Sequence, residues 1–218
     1  MAIKIKKILS YLWPVTKRFS SEINGTLEVT YINGKKVLDT ANANYSYGSL
    51  QKILEFGLAQ IDLKSVKNLL LLGMGGGSVI GSLRKKFGYQ GNILAVEIDP
   101  KVIQIAAEEF GITESHNQRI VQDDAFQFVK ECNERFQLII IDLYIDTEVP
   151  AVFLEREFCQ EVSQRIEERG FLIFNVGIGL KNSQEKMQEI IPFFGKRFHF
   201  HEYHRVNGAN SMLIGRKV

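Results

Sequence analysis

The chain has 218 residues, 45% of them hydrophobic and 24% charged, which suits one substantial globular domain with a small appendage. A net charge of +2 is too small to point to nucleic acid, and no apolar run approaches the roughly 20 residues of a membrane span. Two cysteines, Cys132 and Cys159, lack metal-type spacing and read as reduced thiols of a cytoplasmic protein.

The first residues combine Lys4, Lys6 and Lys7 with an apolar helical face of Ile5, Ile8, Leu9, Leu12 and Trp13. The stretch lacks the core length and cleavage site of a secretory signal. It is expected to pack on the chain's own body or to form a homodimer through this region, ahead of resting on a membrane surface. From Ser20 the pattern turns to period two, and Asn33-Gly34 marks a hairpin. A small β unit therefore precedes a polar loop at 42–49 and an amphipathic helix over 50–61. The expected division is 1–49 for the N-terminal helix and β unit and 50–218 for the main domain.

The main domain is organised around Leu69-Leu-Leu-Leu-Gly-Met-Gly-Gly-Gly-Ser-Val-Ile80. A short apolar run bounded by glycines predicts a buried parallel strand, and resumed helical spacing predicts a helix after it. The turn between them allows positive φ and close approach of a ligand to backbone N–H groups. A second apolar strand, Ile93 to Asp99, carries Glu97 where a carboxylate can accept from both hydroxyls of a ribose. Together the two features predict an adenosine-containing ligand.

Helix 100–110 follows, then a short strand 119–122 running into Asp123-Asp124-Ala125, a helix 126–132, and the most apolar strand, Phe136 to Ile141, ending at Asp142. A helix at 158–166, a strand at 170–176, a helix at 183–192 and a hairpin around Asn207-Gly208 complete the pattern. Alternating strands and helices require a mostly parallel sheet with helices on both faces, and the hairpin adds antiparallel edge strands. The fold class is therefore α/β and Rossmann-like. Ligands of such sheets sit beyond the carboxyl ends of strands, so Glu97, Asp124 and Asp142 should ring one cleft. Asp124 has an alternative role as the N-cap of the next helix, which Asp123 could fill instead.

The order Gly-x-Gly-Gly-Gly, Val-Glu-Ile-Asp, Asp-Asp-Ala, Ile-Ile-Ile-Asp resembles the class I S-adenosylmethionine-dependent methyltransferase fold. Within it, the preceding β unit, Leu38-Asp39 and the later Tyr-containing loop are similar to the spermidine synthase branch. The resemblance covers about Glu22 to Val176. It implies that Gly73, Gly75 and Gly77, with Ser78, approach the methionine portion of the donor. It also implies that Glu97 and the adjoining Ile98 hold the nucleoside, that Asp124 and Ala125 face the adenine, and that Asp142 addresses the nucleophile. The donor it implies is S-adenosylmethionine or decarboxylated S-adenosylmethionine.

Three departures bear on the acceptor. Gly76 stands where aminopropyltransferases carry an Asp, Asp142-Leu-Tyr-Ile-Asp146 replaces their Asp-Ser-x-Asp-Pro, and both acids of their upstream loop are missing from Ala43 to Ser49. A polycation needs carboxylates to replace its lost water. The expected activity is transfer of an alkyl group, methyl ahead of aminopropyl, to a small-molecule amine, with Tyr47, Tyr144 and Asp146 on the acceptor side. A true polyamine aminopropyltransferase and a non-catalytic nucleoside-binding scaffold are the alternatives. His116, His199, His201 and His204 do not converge, so no metal is expected.

Overall fold

A computed structural model of the chain describes residue 8 and residues 10–40, 44–144, 148–178, 183–208 and 210–218. Four antiparallel strands form a first sheet in sequential order: β1 (Val15–Ser21), β2 (Gly25–Ile32), β3 (Lys35–Thr40) and β4 (Asn44–Ser46). Asn33 and Gly34 both take positive φ in the β2–β3 turn, as a tight hairpin requires. Two strands differ from the sequence reading. β1 starts at Val15, ahead of the period-two pattern, and β4 lies inside the stretch read as a polar loop. Both are held by pairing to a neighbour rather than by their own apolar alternation.

The larger sheet has seven strands: β5 (Asn68–Leu72), β6 (Asn92–Glu97), β7 (Gln118–Gln122), β8 (Phe136–Ile141), β9 (Ile166–Ile178), β10 (Phe198–Val206) and β11 (Asn210–Lys217). Their order is β10-β11-β9-β8-β5-β6-β7. β5 to β9 pair in parallel, and the β10–β11 hairpin closes the edge antiparallel on β9. This is the Rossmann-like α/β fold with an antiparallel C-terminal hairpin that the alternation of elements predicts. β9 is longer than its apolar core because pairing to Phe136 extends it back to Ile166 past an irregular segment.

The helices are α1 (Gly48–Ala59), α2 (Ser78–Lys85), α3 (Pro100–Phe110), α4 (Ala125–Glu131), α5 (Arg156–Arg165) and α6 (Ser183–Ile190). Because β5 is apolar on both faces, alternate leucines feed two layers. Leu70 and Leu72 pack with Val129, Phe158, Val162 and Met187 of α4, α5 and α6. Leu69 and Leu71 pack with Leu54, Leu58, Ile80 and Leu83 of α1 and α2 on the other side. α3 is enclosed by both sheets. Its Val102 and Ile105 meet Leu27, Val29 and Leu38 of the small sheet, so the β unit sits beside the helix that follows Glu97.

Ile5 and Leu9 of the expected N-terminal face lie outside the described residues. Ser10 is buried against the β2–β3 turn, where it accepts from Asn33 and Gly34 N–H groups. Ile8, Leu12 and Trp13 are exposed, Trp13 at 78%. These three side chains therefore do not meet the expectation of an apolar face packed on the body of the chain.

Candidate functional site

β5 is the point where strand order reverses, with β6 on one side and β8 on the other. Crevices in open parallel sheets form at the carboxyl ends of such strands. A cavity of about 470 Å³ opens there, and its wall includes Gly73, Gly75, Ser78, Glu97, Ile98, Asp123, Asp124, Ala125, Asp142 and Tyr144.

The chain leaves β5 through Gly73 at φ +84, and a Cβ there would collide with the Asp142 carbonyl oxygen. Glycine is needed at this position because two strand ends touch backbone to backbone. Gly77, at φ +78, caps α2, but it lies off the cavity wall, and a Cβ on it would come within 2.7 Å of Ile112. Ser78 opens α2 and is buried beside the cavity.

Glu97 is buried at the end of β6. Its Oε2 accepts from Gly75 N–H at 2.8 Å, and its Oε1 accepts from Asp99 N–H at 3.1 Å. Burial raises its pKa to about 7, against the pull of those two donors. An ionised carboxylate has about four acceptor sites, so beyond its backbone donors Glu97 retains capacity for a hydroxyl in the cavity. Asp124, rather than Asp123, caps α4: its Oδ1 accepts from Phe126 N–H at 2.9 Å and Gln127 N–H at 3.0 Å. It does so from the cavity wall, so the capping role and a place in the cleft coincide.

Asp142 follows β8 and is partly buried. Burial pushes its carboxyl up to about 6, opposed by a hydrogen bond from Asn175. Tyr144 lines the same side and spends its hydroxyl hydrogen on the Asn175 carbonyl oxygen at 3.1 Å. Tyr47 does not line the cavity. Its ring stacks on Phe110 at 4.3 Å and its hydroxyl donates to the Gly76 carbonyl, so it backs the glycine turn from outside. Asp146 and Ala43 lie outside the described residues.

Several wall residues carry no mark in the sequence. Ile23 and Asn24, at the β1–β2 turn, reach the cavity because Ser21 Oγ and Asn24 Nδ2 both donate to Asp99 Oδ2, the latter at 2.6 Å. Asn210 of β11 also lines the cavity. A lone asparagine inside Phe171-Leu-Ile-Phe-Asn-Val176 was the available signal for Asn175, the residue behind Asp142. Among the described residues no three His, Cys, Asp or Glu side chains gather as a metal site, and no helix is long and apolar enough to cross a membrane.

Residues 52–199 match the spermine/spermidine synthase domain. The chain belongs to that family. The polyamine aminopropyltransferase of Vibrio vulnificus is 29% identical over 137 residues, which are 62% of this chain and 46% of that protein. The eEF1A lysine and N-terminal methyltransferase homolog of Drosophila melanogaster is 25% identical over 189 residues, 78% of this chain and 27% of that one. This member of the family thus spans half or less of the length of these relatives. Among solved structures, human methyltransferase-like protein 13 in complex with SAH shares the fold with a TM-score of 0.63 at 21% identity, covering 79% of this chain and 83% of that one.

Proposed function

We propose that this chain transfers an alkyl group from S-adenosylmethionine or decarboxylated S-adenosylmethionine to a small-molecule amine, with methyl transfer placed ahead of aminopropyl transfer. The observation that carries the reading is one cavity walled by the glycine turn, Glu97 and Asp142 at the switch point of the sheet. Family membership supports the donor, since relatives of both transfer types match the chain.

In this reading Gly73 and Gly75 give backbone approach to the methionine portion, Glu97 accepts from the ribose hydroxyls, and Ile98, Asp124 and Ala125 flank the adenine. Transfer breaks the sulfonium carbon–sulfur bond as the amine nitrogen forms its bond to the same carbon, leaving a thioether. Most of the barrier reduction comes from holding nitrogen and carbon in line at about 3 Å. The nitrogen attacks as a neutral amine and then sheds a proton, which Asp142 accepts. At neutral pH a carboxyl of pKa about 6 is mostly ionised, as a base must be.

The second reading is a polyamine aminopropyltransferase, favoured by the Vibrio vulnificus relative. Gly76 and the neutral stretch from Ala43 to Ser49 argue against a diamine acceptor.

A thermal-shift panel with S-adenosylmethionine, decarboxylated S-adenosylmethionine, methylthioadenosine and NAD tests the donor. The sulfur nucleosides should stabilise the chain, by about 2.7 kcal/mol at one hundred times Kd, and NAD should not. Glu97→Ala should weaken methylthioadenosine by roughly 2–4 kcal/mol on hydrogen-bond magnitudes, as measured by calorimetry. Stabilisation by NAD alone, or unchanged affinity in Glu97→Ala, overturns the assignment. Robust formation of spermidine from putrescine would move the second reading ahead of the first.

A further inference from the structure

Asn175 is the one polar side chain in the apolar run of β9, and it is 0% exposed. A buried amide costs free energy unless its donors and acceptors are met. Here each contact is directional. Its Nδ2 donates to Asp142 Oδ1 at 2.9 Å, its Oδ1 accepts from Asn210 Nδ2 at 3.0 Å, and its backbone oxygen accepts from Tyr144.

Strand register produces the first contact. Ile141 of β8 pairs with Phe174 of β9, so Asp142 and Asn175 emerge side by side where β8 ends. The second contact comes from the closing hairpin, because Asn210 starts β11 just past the Asn207-Gly208 turn and is itself buried. An ionised Asp142 carboxylate can only accept, so the Asn175 NH2 group must face it, and the Asn175 oxygen is left toward the donating Asn210 Nδ2.

We propose that Asn175 is a positioning residue for Asp142: it anchors Oδ1 with a donor, leaves Oδ2 open to the cavity, and is itself oriented by Asn210. This rests on Asp142 being the proton acceptor of the proposed transfer. The surroundings give the amide its importance. Asp142 N–H is bonded to Leu72 O of β5, which brings only backbone. The titratable groups on the described cavity wall are Glu97, Asp123, Asp124 and Tyr144, with no Lys, Arg or His among them. All of these are acidic or neutral, so none favours a second negative charge. Against burial, it is the hydrogen bond from Asn175 that holds the Asp142 carboxyl down, since a donor to a carboxylate favours its ionised form. Losing it would move the midpoint up toward neutral pH and deplete the ionised form that a base requires.

The experiment is a carbon-13 NMR titration of the Asp142 carboxyl in the unmodified chain, in Asn175→Leu and in Asn210→Asp, with methylthioadenosine affinity measured in each. Asn175→Leu keeps the approximate shape and removes the donor, so the Asp142 midpoint should rise by about one unit or more with nucleoside affinity changed less than about twofold. Asn210→Asp draws the Asn175 NH2 group away and turns its oxygen toward Asp142, so the midpoint should rise again. Once an acceptor is known, the acid limb of the kcat profile should move up by the same amount with KM held. An unmoved midpoint in Asn175→Leu overturns the proposal. If that variant does not fold, an unmoved midpoint in Asn210→Asp does the same. Full turnover in Asp142→Asn would instead refute the base assignment, an outcome that the NMR midpoints tell apart from failure of the Asn175 contact.

Discussion

At the scale of the residue, Asp142 is held where ionising it is costly. Its folded pKa of about 6 lies above the ordinary 3.8 because burial outweighs the donor from Asn175. A carboxyl raised in this way stabilises the fold least where it is charged. Below about pH 4 the folded and unfolded chains both carry it neutral. Between about pH 4 and 6 the unfolded chain ionises while the folded chain resists, and above about 6 the full penalty is in place. Asp142→Asn should therefore stabilise the protein by about 1–2 kcal/mol near pH 7.5, discounted because the group is only partly buried. Near pH 4 the gain should vanish, as denaturant unfolding at the two pH values would show. The same substitution should lower turnover by about 10²–10⁴-fold with donor affinity nearly unchanged. A stabilised variant with intact turnover would mean that the acid is a strained bystander. Glu97 shows the same tension in a more enclosed place, raised to about 7 while bonded to two backbone donors.

At the scale of the element, the glycines separate by what surrounds them. Gly73 combines positive φ with a neighbour's backbone where a Cβ would go. Gly73→Ala should cost about 3 kcal/mol or more and lower the melting temperature by roughly 6–12 °C in a chain of this size. Gly81, inside α2, has nothing within 4 Å of the place a methyl would occupy and no positive φ. Gly81→Ala should raise stability by about 0.5–1 kcal/mol on helix propensity. Melting curves of the pair check both signs together. The sequence puts Gly73 in the turn and Gly81 in the helix, but only the approach of the Asp142 backbone at the end of β8 shows how little room Gly73 has. The elements were legible where burial alone dictates them: a central parallel strand must be apolar on both faces, and β5, β6 and β8 are. β1 and β4 were not, because edge pairing supplies what their own pattern lacks. Asn175 and Asn210 were not, because their meaning depends on register between strands distant in sequence.

At the scale of the whole molecule, the small sheet is fastened to α3 by two kinds of contact. Glu109 receives Lys17 at 2.8 Å and Lys36 at 2.8 Å, and Lys36 also donates to the Glu109 carbonyl at 2.6 Å. Beneath them Leu27, Val29 and Leu38 bury against Val102 and Ile105. Partly exposed ion pairs contribute about 0–1 kcal/mol, whereas emptying a buried leucine site costs about 2–5 kcal/mol. Leu38→Ala should thus destabilise far more than Glu109→Gln in denaturant titrations, and the reverse order would make the charges the principal fastening. Since the same unit carries Ile23 and Asn24 to the cavity wall, Leu38→Ala should also weaken nucleoside binding. None of this docking was legible beforehand. Period-two patterning separates the β unit from the main domain but holds no signal for what the unit touches.

The contact between Gly73 and Asp142 has a further meaning in terms of error. A reaction between two bound molecules depends on a gap, and a gap drifts whenever its two sides are mounted on separate supports. Here the donor loop leaves β5 and the acid leaves β8 at neighbouring strand ends, with Asp142 N–H bonded to Leu72 O and no side chain interposed at Gly73. Both sides of the gap therefore share one mount. Motion of the small sheet, which carries neither strand end, is not passed directly into that spacing. The spacing between the two strand ends is thus set by a few bonds of backbone, while the Asp142 side chain still takes its aim from Asn175 and the closing hairpin.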